Sequence, residues 1–199
     1  MAEGDEFLII LGDVVDRGEK ADMEAVKTAV AISGFSNKVL YVIGNHDIFQ
    51  QGWDNYKSVF GSSHYAVYIG NSKFIVLDTA DGAVGNRQRE WLGEELKESS
   101  AINTFILSHY LPMVPGERTY LRLSDEEEAL RLMKLATIHG VRGWFGGHYH
   151  SYGTQDVEGV TYVVAGGGGG RRMEPVKDFF FVQVVVSGSA VTYQLHEIG

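Results

Sequence analysis

Four short segments carry side chains that commonly bind metal ions, and each follows an apolar run. They are GDVVDRG from Gly12, GNHD from Gly44, SHYLP from Ser108 and GHYH from Gly147. Oxygen and imidazole ligands in such a mixture suit divalent Mn, Fe or Zn, whereas metals that prefer sulfur are disfavoured. The candidate ligands are Asp13, Asn45, His109, His148 and His150.

The spacing of two of these histidines bears on the number of ions. His148 and His150 are separated by one residue, so in an extended chain both side chains point to the same side. They can serve one ion, or one each of two neighbouring ions bridged by a carboxylate such as Asp13. Two ions about 3.5–4 Å apart stabilise the attacking and leaving oxygens of a displacement at phosphorus.

Each residue taken alone also has a purely structural explanation. A histidine at a strand end often bonds to the backbone, and an aspartate in a turn often forms an Asx-turn. These explanations do not jointly anticipate four such motifs in one chain. Their combination therefore favours a metal site.

The elements that position these side chains follow from hydrophobic periodicity and turn residues. Short apolar runs, rich in β-branched and aromatic residues, predict strands. These runs are 7–11, 38–43, 64–69, 73–78, 104–108, 141–145, 160–165, 179–186 and 190–196, with hairpin turns at 69–73 and 187–189. Because polar motifs follow several strands, we expect them to meet where the carboxyl ends of the strands collect ligands in α/β proteins.

Three helices are predicted between the strands, over residues 20–33, 87–98 and 129–138. For the last of these, Ser124 with Glu127 resembles a capping box, and Gly140 suits the C-terminal stop. Strand and helix alternate in the first half, whereas the last forty residues are nearly all strand. This pattern predicts an α/β fold with more than one sheet, the later part antiparallel.

Composition limits the classes of protein to consider. A length of 199 residues favours a single domain over 1–199. There is no cysteine, and the net charge of −9 disfavours nucleic-acid binding through a basic face. No apolar run approaches the roughly 20 residues of a membrane-spanning helix. The acidic MAEGDE start lacks the basic region of a signal peptide, so we expect a cytoplasmic location.

Taken in order, the four motifs resemble those of the calcineurin-like metallophosphoesterase superfamily. FIVLDTADG and NRQREWLGEEL also resemble the strand and helix between its second and third motifs. The resemblance covers essentially the whole chain. It implies a two-sheet mixed β-sandwich flanked by helices in the order α-β-β-α. It also implies a metal-dependent phosphoesterase that acts on small-molecule phosphomonoesters or phosphodiesters with two divalent ions.

The resemblance also implies a role for each candidate residue. Asp13 would bridge the two ions; Asn45, His109 and His148 would complete one metal site, and His150 would belong to the other. A metal-bound hydroxide would attack phosphorus, while His46 would protonate the leaving group and Asp47 would orient His46. Arg17 would contact phosphate oxygens, or would lie outward in a salt bridge.

One part of the family pattern is absent from this sequence. Members of the superfamily begin with a strand that ends in Asp-x-His and supplies two ligands to the metal that His150 serves. We favour truncation of a longer enzyme as the explanation, because the remaining motifs are intact. A natural single-metal variant is an alternative, and so is a partner chain or second copy that adds a strand at the exposed sheet edge.

Two further alternatives remain open from the sequence. The chain could be a catalytically impaired scaffold or binding protein, as the retromer subunit of this superfamily is regarded. The run GGGGGRR at 166–172 could line the site and direct Arg171 or Arg172 towards an anionic substrate, or could be a flexible turn between strands.

Overall fold

The structure is a computed structural model, which describes residues 6–35, 38–116, 121–171, 173 and 178–198. Its elements in chain order are β1 (Leu8–Leu11), α1 (Lys20–Val30, followed by a π-helical turn at Ala31–Phe35), β2 (Val39–Val42), α2 (Gly52–Phe60), β3 (Tyr65–Ile69), β4 (Ser72–Val76), α3 (Gly85–Lys97), β5 (Asn103–Ser108), α4 (Glu126–Ile138), β6 (Gly143–Gly146), β7 (Tyr152–Val157), β8 (Val160–Ala165), β9 (Phe179–Ser187) and β10 (Ala190–Ile198).

Six of the strands form a mixed sheet in the order β3-β4-β5-β6-β8-β7. The four inner strands run parallel, and antiparallel partners flank them at both edges. Every residue of β4, β5 and β6 is buried. Strands buried on both faces need apolar side chains throughout, which explains their continuous apolar runs.

A second layer packs on one face of this sheet and consists of two strand pairs. β1 pairs with β2 in parallel, and β9 pairs with β10 in antiparallel orientation. Their inward side chains and those of the six-stranded sheet form one apolar cluster. Its buried members are Leu40, Val42, Phe74, Val76, Phe105, Leu107, Phe145 and Val163.

Helices cover the outer faces of both layers. α3 and α4 pack on the free face of the six-stranded sheet around Leu92, Leu132 and Trp144. α1 and α2 pack against the other side of the β1–β2 pair around Met23 and Tyr56. The layer order is therefore α-β-β-α, which confirms the predicted mixed sandwich flanked by helices.

β1 is paired on one side only among the described residues. The N–H of Leu8 donates to the carbonyl of Lys38 at 2.8 Å, so the backbone polar groups of Ile9 and Leu11 face away from β2. Within the described ranges no strand pairs with this side of β1. The addition of a strand there stays a prediction.

Two elements were not predicted from the sequence. β7 is an edge strand whose middle residues 154–156 are polar and exposed, so it leaves no apolar run. α2 begins at Gly52, and its exposed Trp53 interrupts the expected amphipathic pattern.

The predicted capping box of α4 was wrong by one position. Asp125 caps the helix by accepting a bond from the N–H of Glu128 at 3.0 Å. The Ser124 hydroxyl instead donates to the carbonyl of Gly82. Gly140 has φ +62° just after the helix, which confirms the predicted stop. Among the described residues, no helix combines the length and apolar character needed to cross a membrane.

Candidate metal centre

Four strand ends from the two layers meet at one edge of the sandwich. Asp13 follows β1, Asn45 follows β2, His109 follows β5 and His148 follows β6. Ligand atoms of Asp13, His109 and His148 all lie within 4.8 Å of one another. The Asn45 Oδ1 lies 3.0 Å from the His109 Nε2 and 3.0 Å from the His148 Nδ1. We call these four residues the ligand cluster.

Glycines allow the strand ends to approach so closely. Gly12 has φ +94°, and a Cβ there would overlap the Nδ1 of His109. A Cβ at Gly44 would overlap the amide nitrogen and the carboxylate of Asp13. Since any side chain would separate these backbones, the two glycines are a condition for the cluster.

His109 is held so that one ring nitrogen faces the cluster. Its side chain is 2% exposed, and its Nδ1 donates to the carbonyl of Leu11 at 2.7 Å. Its Nε2 faces the Asn45 Oδ1 and lies 3.3 Å from the Asp13 Oδ2. Because Nδ1 bonds to the Leu11 carbonyl, Nε2 is the ring nitrogen that is aimed where an ion would bind.

His148 is neutral over the ordinary pH range. Burial, reinforced by the nearby charge of His109, lowers the pKa of His148 to about 4. Its ring lies against that of Tyr110, with centroids 3.9 Å apart. A neutral imidazole is the form that binds metal, so the environment of His148 suits a ligand.

Asp13 remains ionised in spite of its burial. Burial by itself would raise the pKa of Asp13, but the hydrogen bond and charge of His109 and the N–H of His46 outweigh it and lower the pKa. The N–H of His46 donates to Asp13 Oδ1 at 2.9 Å. The cluster thus offers one carboxylate, one amide oxygen and two imidazoles, a donor set that fits a divalent ion such as Mn, Fe or Zn.

His46 lies beside this cluster, half exposed. Its Nδ1 donates to the carbonyl of Asp16 at 3.0 Å and lies 3.4 Å from the Asp16 carboxylate. Asp16, rather than Asp47, contacts the ring of His46, and the expectation that Asp47 orients His46 stays a prediction. Asp16 lies in the first motif, and no sequence pattern indicated that it would reach the second.

Asp47 instead joins two of the motif loops. It is 0% exposed and accepts bonds from the N–H of Gly44 at 2.8 Å and of Val15 at 3.0 Å. Burial raises the pKa of Asp47, while these backbone bonds oppose the rise. The carboxylate thereby fixes the loop that carries Asp13 against the loop that carries Asn45 and His46.

His150 stands apart from the ligand cluster. Its Nδ1 donates to the carbonyl of Arg171 at 2.7 Å, and its own carbonyl accepts from the N–H of Met173 at 2.8 Å. A Cβ at Gly170 would lie 2.8 Å from the His150 ring. Part of the glycine run therefore packs on His150 and holds it. Arg172 lies outside the described residues.

Arg17 lies on the surface near His46. Its side chain is 72% exposed, and its Nε is 3.6 Å from the Asp16 carboxylate. Of the two alternatives considered for Arg17, this geometry matches the outward ion pair, and a contact with phosphate stays a prediction. Tyr110, which follows His109 directly in the sequence, contacts the site through His148 and was not anticipated.

Comparison with known families gives an independent result. Residues 2–152 match the family model described as calcineurin-like phosphoesterase. A curated relative from Fibrobacter succinogenes, described as a probable cyclic nucleotide phosphodiesterase, is 27% identical over 164 residues. That alignment covers 80% of this chain and 63% of the relative, so the chain spans less than two thirds of that protein's length.

Solved structures show the same fold at low sequence identity. A dimetal phosphatase from Danio rerio superposes with a TM-score of 0.64 at 16% identity, over 80% of this chain and 71% of its own. GAP50, described as the anchor in the inner membrane complex of Plasmodium, superposes with a TM-score of 0.67 at 11% identity, over 96% and 74%. At such identities the likeness concerns the fold alone.

Proposed function

This chain belongs to the calcineurin-like phosphoesterase family, and from that premise we propose that it is a metal-dependent hydrolase of phosphomonoesters or phosphodiesters. The observation that carries the proposal is the convergence of the ligand cluster from four strand ends. The position of His46 beside it adds a candidate proton donor. The neutral imidazole of His148, the ionised carboxylate of Asp13 and the amide oxygen of Asn45 converge on one point. A purely structural role would not require this convergence.

Asp13, Asn45, His109 and His148 would hold one divalent ion. His150, with Asp13, is the candidate for a second ion, as in the dimetal arrangement implied by the family. A bound divalent ion supplies Lewis acidity, which lowers the pKa of water and neutralises charge on phosphoryl oxygens. We propose Mn, Fe or Zn from the donor types.

The surrounding residues provide orientation and proton transfer. Because the Nδ1 of His46 bonds to the Asp16 carbonyl, its Nε2 is the nitrogen free to protonate the leaving oxygen. Asp47 keeps the loops of Asp13 and His46 in register through its two backbone bonds. Arg17 is exposed beside His46, and we propose that its guanidinium contacts phosphate oxygens of the substrate.

The proposal is tested with one generic monoester and one generic diester. After treatment with EDTA, the protein is reconstituted with Mn, Fe or Zn and assayed on p-nitrophenyl phosphate and bis(p-nitrophenyl) phosphate, and bound metal is counted. We expect metal-dependent release of p-nitrophenol from at least one ester. The cyclic nucleotides suggested by the Fibrobacter relative are assayed as well. The proposal would be refuted if the protein bound near-stoichiometric metal and hydrolysed neither these esters nor the cyclic nucleotides.

A binding protein that has lost turnover is the second candidate. It is favoured by the position of His150, which is outside the one group of converging metal ligands found among the described residues. The unpaired side of β1 offers such a protein a place to add a strand from a partner or a second copy. Bound metal with turnover excludes this candidate, whereas little metal and no turnover supports it.

A further inference from the structure

An open cavity lies beside His46, whose N–H donates to Asp13 of the ligand cluster. Its volume is about 390 Å³, and it is lined by Asp16, Arg17, His46, Phe49 and Gln50. The group that protonates a leaving oxygen must lie beside that oxygen. If His46 has this role, the cavity receives the leaving group of the substrate.

Phe49 is an unusual residue for the wall of such a cavity. It is 47% exposed, and it belongs to none of the three apolar clusters formed by the described residues. Its ring meets that of His46 nearly edge to face, with centroids 5.3 Å apart. An exposed aromatic ring that contributes little to the core, next to the proposed proton donor, is suited to contact a ligand.

The turn that carries Phe49 is closely held. The carbonyl of Phe49 accepts from the N–H of Gly52 at 2.9 Å, and a Cβ at Gly18 would lie 2.5 Å from the same oxygen. The neighbouring Gln50 has φ +59°, a left-handed conformation that is rare for a residue with a side chain. Such local strain persists only where the surrounding structure fixes it, and it is often found at ligand sites.

The other walls of the cavity are polar. Asp16 and Arg17 provide a carboxylate and a guanidinium, and Gln50 an amide. One flat apolar ring among hydrogen-bonding groups complements a planar heteroaromatic group that has donors and acceptors at its edge. A small aliphatic alcohol would leave the ring without a partner.

We propose that Phe49 is a specificity-determining residue that stacks on the planar base of a nucleoside leaving group, and that nucleoside phosphoesters are the substrate class of this site. The proposal rests on the proposed phosphoesterase function and extends it to the part of the substrate remote from phosphorus. Phe49 selects the substrate, while the reaction itself takes place at the ligand cluster and His46.

The test compares two esters with the same leaving atom. Adenosine 5′-monophosphate and ribose 5-phosphate both release a primary ribose hydroxyl, and they differ at the base. In wild-type protein with Mn, we expect kcat/KM and the binding constant from calorimetry to favour the adenosine ester by roughly threefold to tenfold, the range given by one aromatic contact. Phe49→Ala should remove this preference by weakening only the adenosine ester.

Two variants separate stacking from general effects. Phe49→Trp keeps a ring and should keep the preference, whereas Phe49→Leu keeps apolar bulk without a ring and should lose most of it. The control is Tyr68→Ala, which removes another exposed aromatic side chain. Tyr68 lies on β3 opposite Lys73, at the amino end of β4, so the preference for the adenosine ester should not change.

The outcomes distinguish this inference from the proposed function. A preference that survives Phe49→Ala, or no preference in the wild type, overturns the role of Phe49 even if both esters are hydrolysed. A binding preference that depends on Phe49, in a protein that hydrolyses no phosphoester with any ion, supports the aromatic subsite and refutes the hydrolase.

Discussion

The ligand cluster and the rim around it are built in different ways. The cluster residues follow strand ends from both layers and contact one another directly. The rim, defined as Arg17, His46, Phe49, His150 and Arg171, is partly or largely exposed. Its two histidines are held by main-chain carbonyls of nearby loops. The cluster thus depends on the packing of the whole sandwich, whereas the rim depends on local turns.

This difference predicts distinct consequences of substitution. Changes in the cluster should remove the ion or destabilise the fold, because their neighbours are buried and cannot adjust. Changes in the rim should alter rate or selectivity and leave the ion in place.

The largest effect is expected for Asp13→Asn, which keeps the shape and removes the charge. Even a residue that only supports a metal ligand contributes about 10–100-fold to affinity. Loss of the cluster's carboxylate should therefore weaken Mn binding by more than about 100-fold and reduce hydrolysis to background. Calorimetric titration with Mn measures this. Asp156→Asn, at an exposed position of β7, should bind Mn as the wild type does; equal affinity in both variants would contradict the cluster.

His46→Gln should lower turnover while leaving bound metal unchanged. Loss of a general acid costs about 100- to 10,000-fold for a leaving group that needs a proton. The loss should be much smaller for p-nitrophenyl esters, since p-nitrophenolate departs without protonation. Rates on alkyl and aryl esters, with metal counted in each sample, test this prediction. An equal loss on both esters, or loss of metal, would assign His46 to the cluster instead.

Two Gly→Ala substitutions compare the regions directly. At Gly44 the added methyl group would overlap the backbone and carboxylate of Asp13, so we expect a loss of about 1–3 kcal/mol in the free energy of unfolding. At Gly168, in the glycine run, no atom lies within 4 Å of the added methyl group, so the change should stay within about 0.5 kcal/mol. Neither glycine has a left-handed φ. Urea unfolding without metal provides the measurement, and similar losses at both sites would contradict the comparison.

The smallest effect concerns pH. The pKa of His148 is about 4 in the folded chain, compared with an ordinary value of 6.5. As the pH falls from 6.5 towards 4, the unfolded chain binds a proton that the folded chain does not, so the free energy of unfolding falls. The stabilisation is complete above pH 6.5, and solvent reaching the half-buried ring keeps it modest. Urea unfolding in EDTA should show a shallower pH slope in His148→Gln, and an unchanged slope would contradict this assignment.

The order of layers was implied by the resemblance to the family, and the place of the ligand cluster was predictable from the sequence itself. Strands β4 to β6 are buried on both faces, so their apolar runs are conspicuous, and polar residues directly after such runs mark the edge where ligands collect. The edge strand β7 has no such run. Its middle residues face water on both sides, so its pairing with β8 depends on tertiary contacts that the sequence does not display.

The contacts within the site were less predictable. Asp47 follows His46 in the chain, but the turn in which the N–H of Asp47 donates to the carbonyl of Gly44 directs its carboxylate inward. Asp16, thirty residues earlier in the chain, reaches His46 because the loops after β1 and β2 lie side by side. Adjacency in sequence does not show to which side of a turn a side chain points.

The bond from the His109 ring to the Leu11 carbonyl joins the two layers at the site of the cluster. An ion held by Asp13 and Asn45 from one layer and by His109 and His148 from the other would act as a reversible cross-link. Mass action predicts that such an ion, at 100 times its dissociation constant, adds about 2.7 kcal/mol to the apparent stability of the fold. The melting temperature should therefore rise with the concentration of free ion, and removal of the ion by a chelator should loosen the two layers as well as stop turnover.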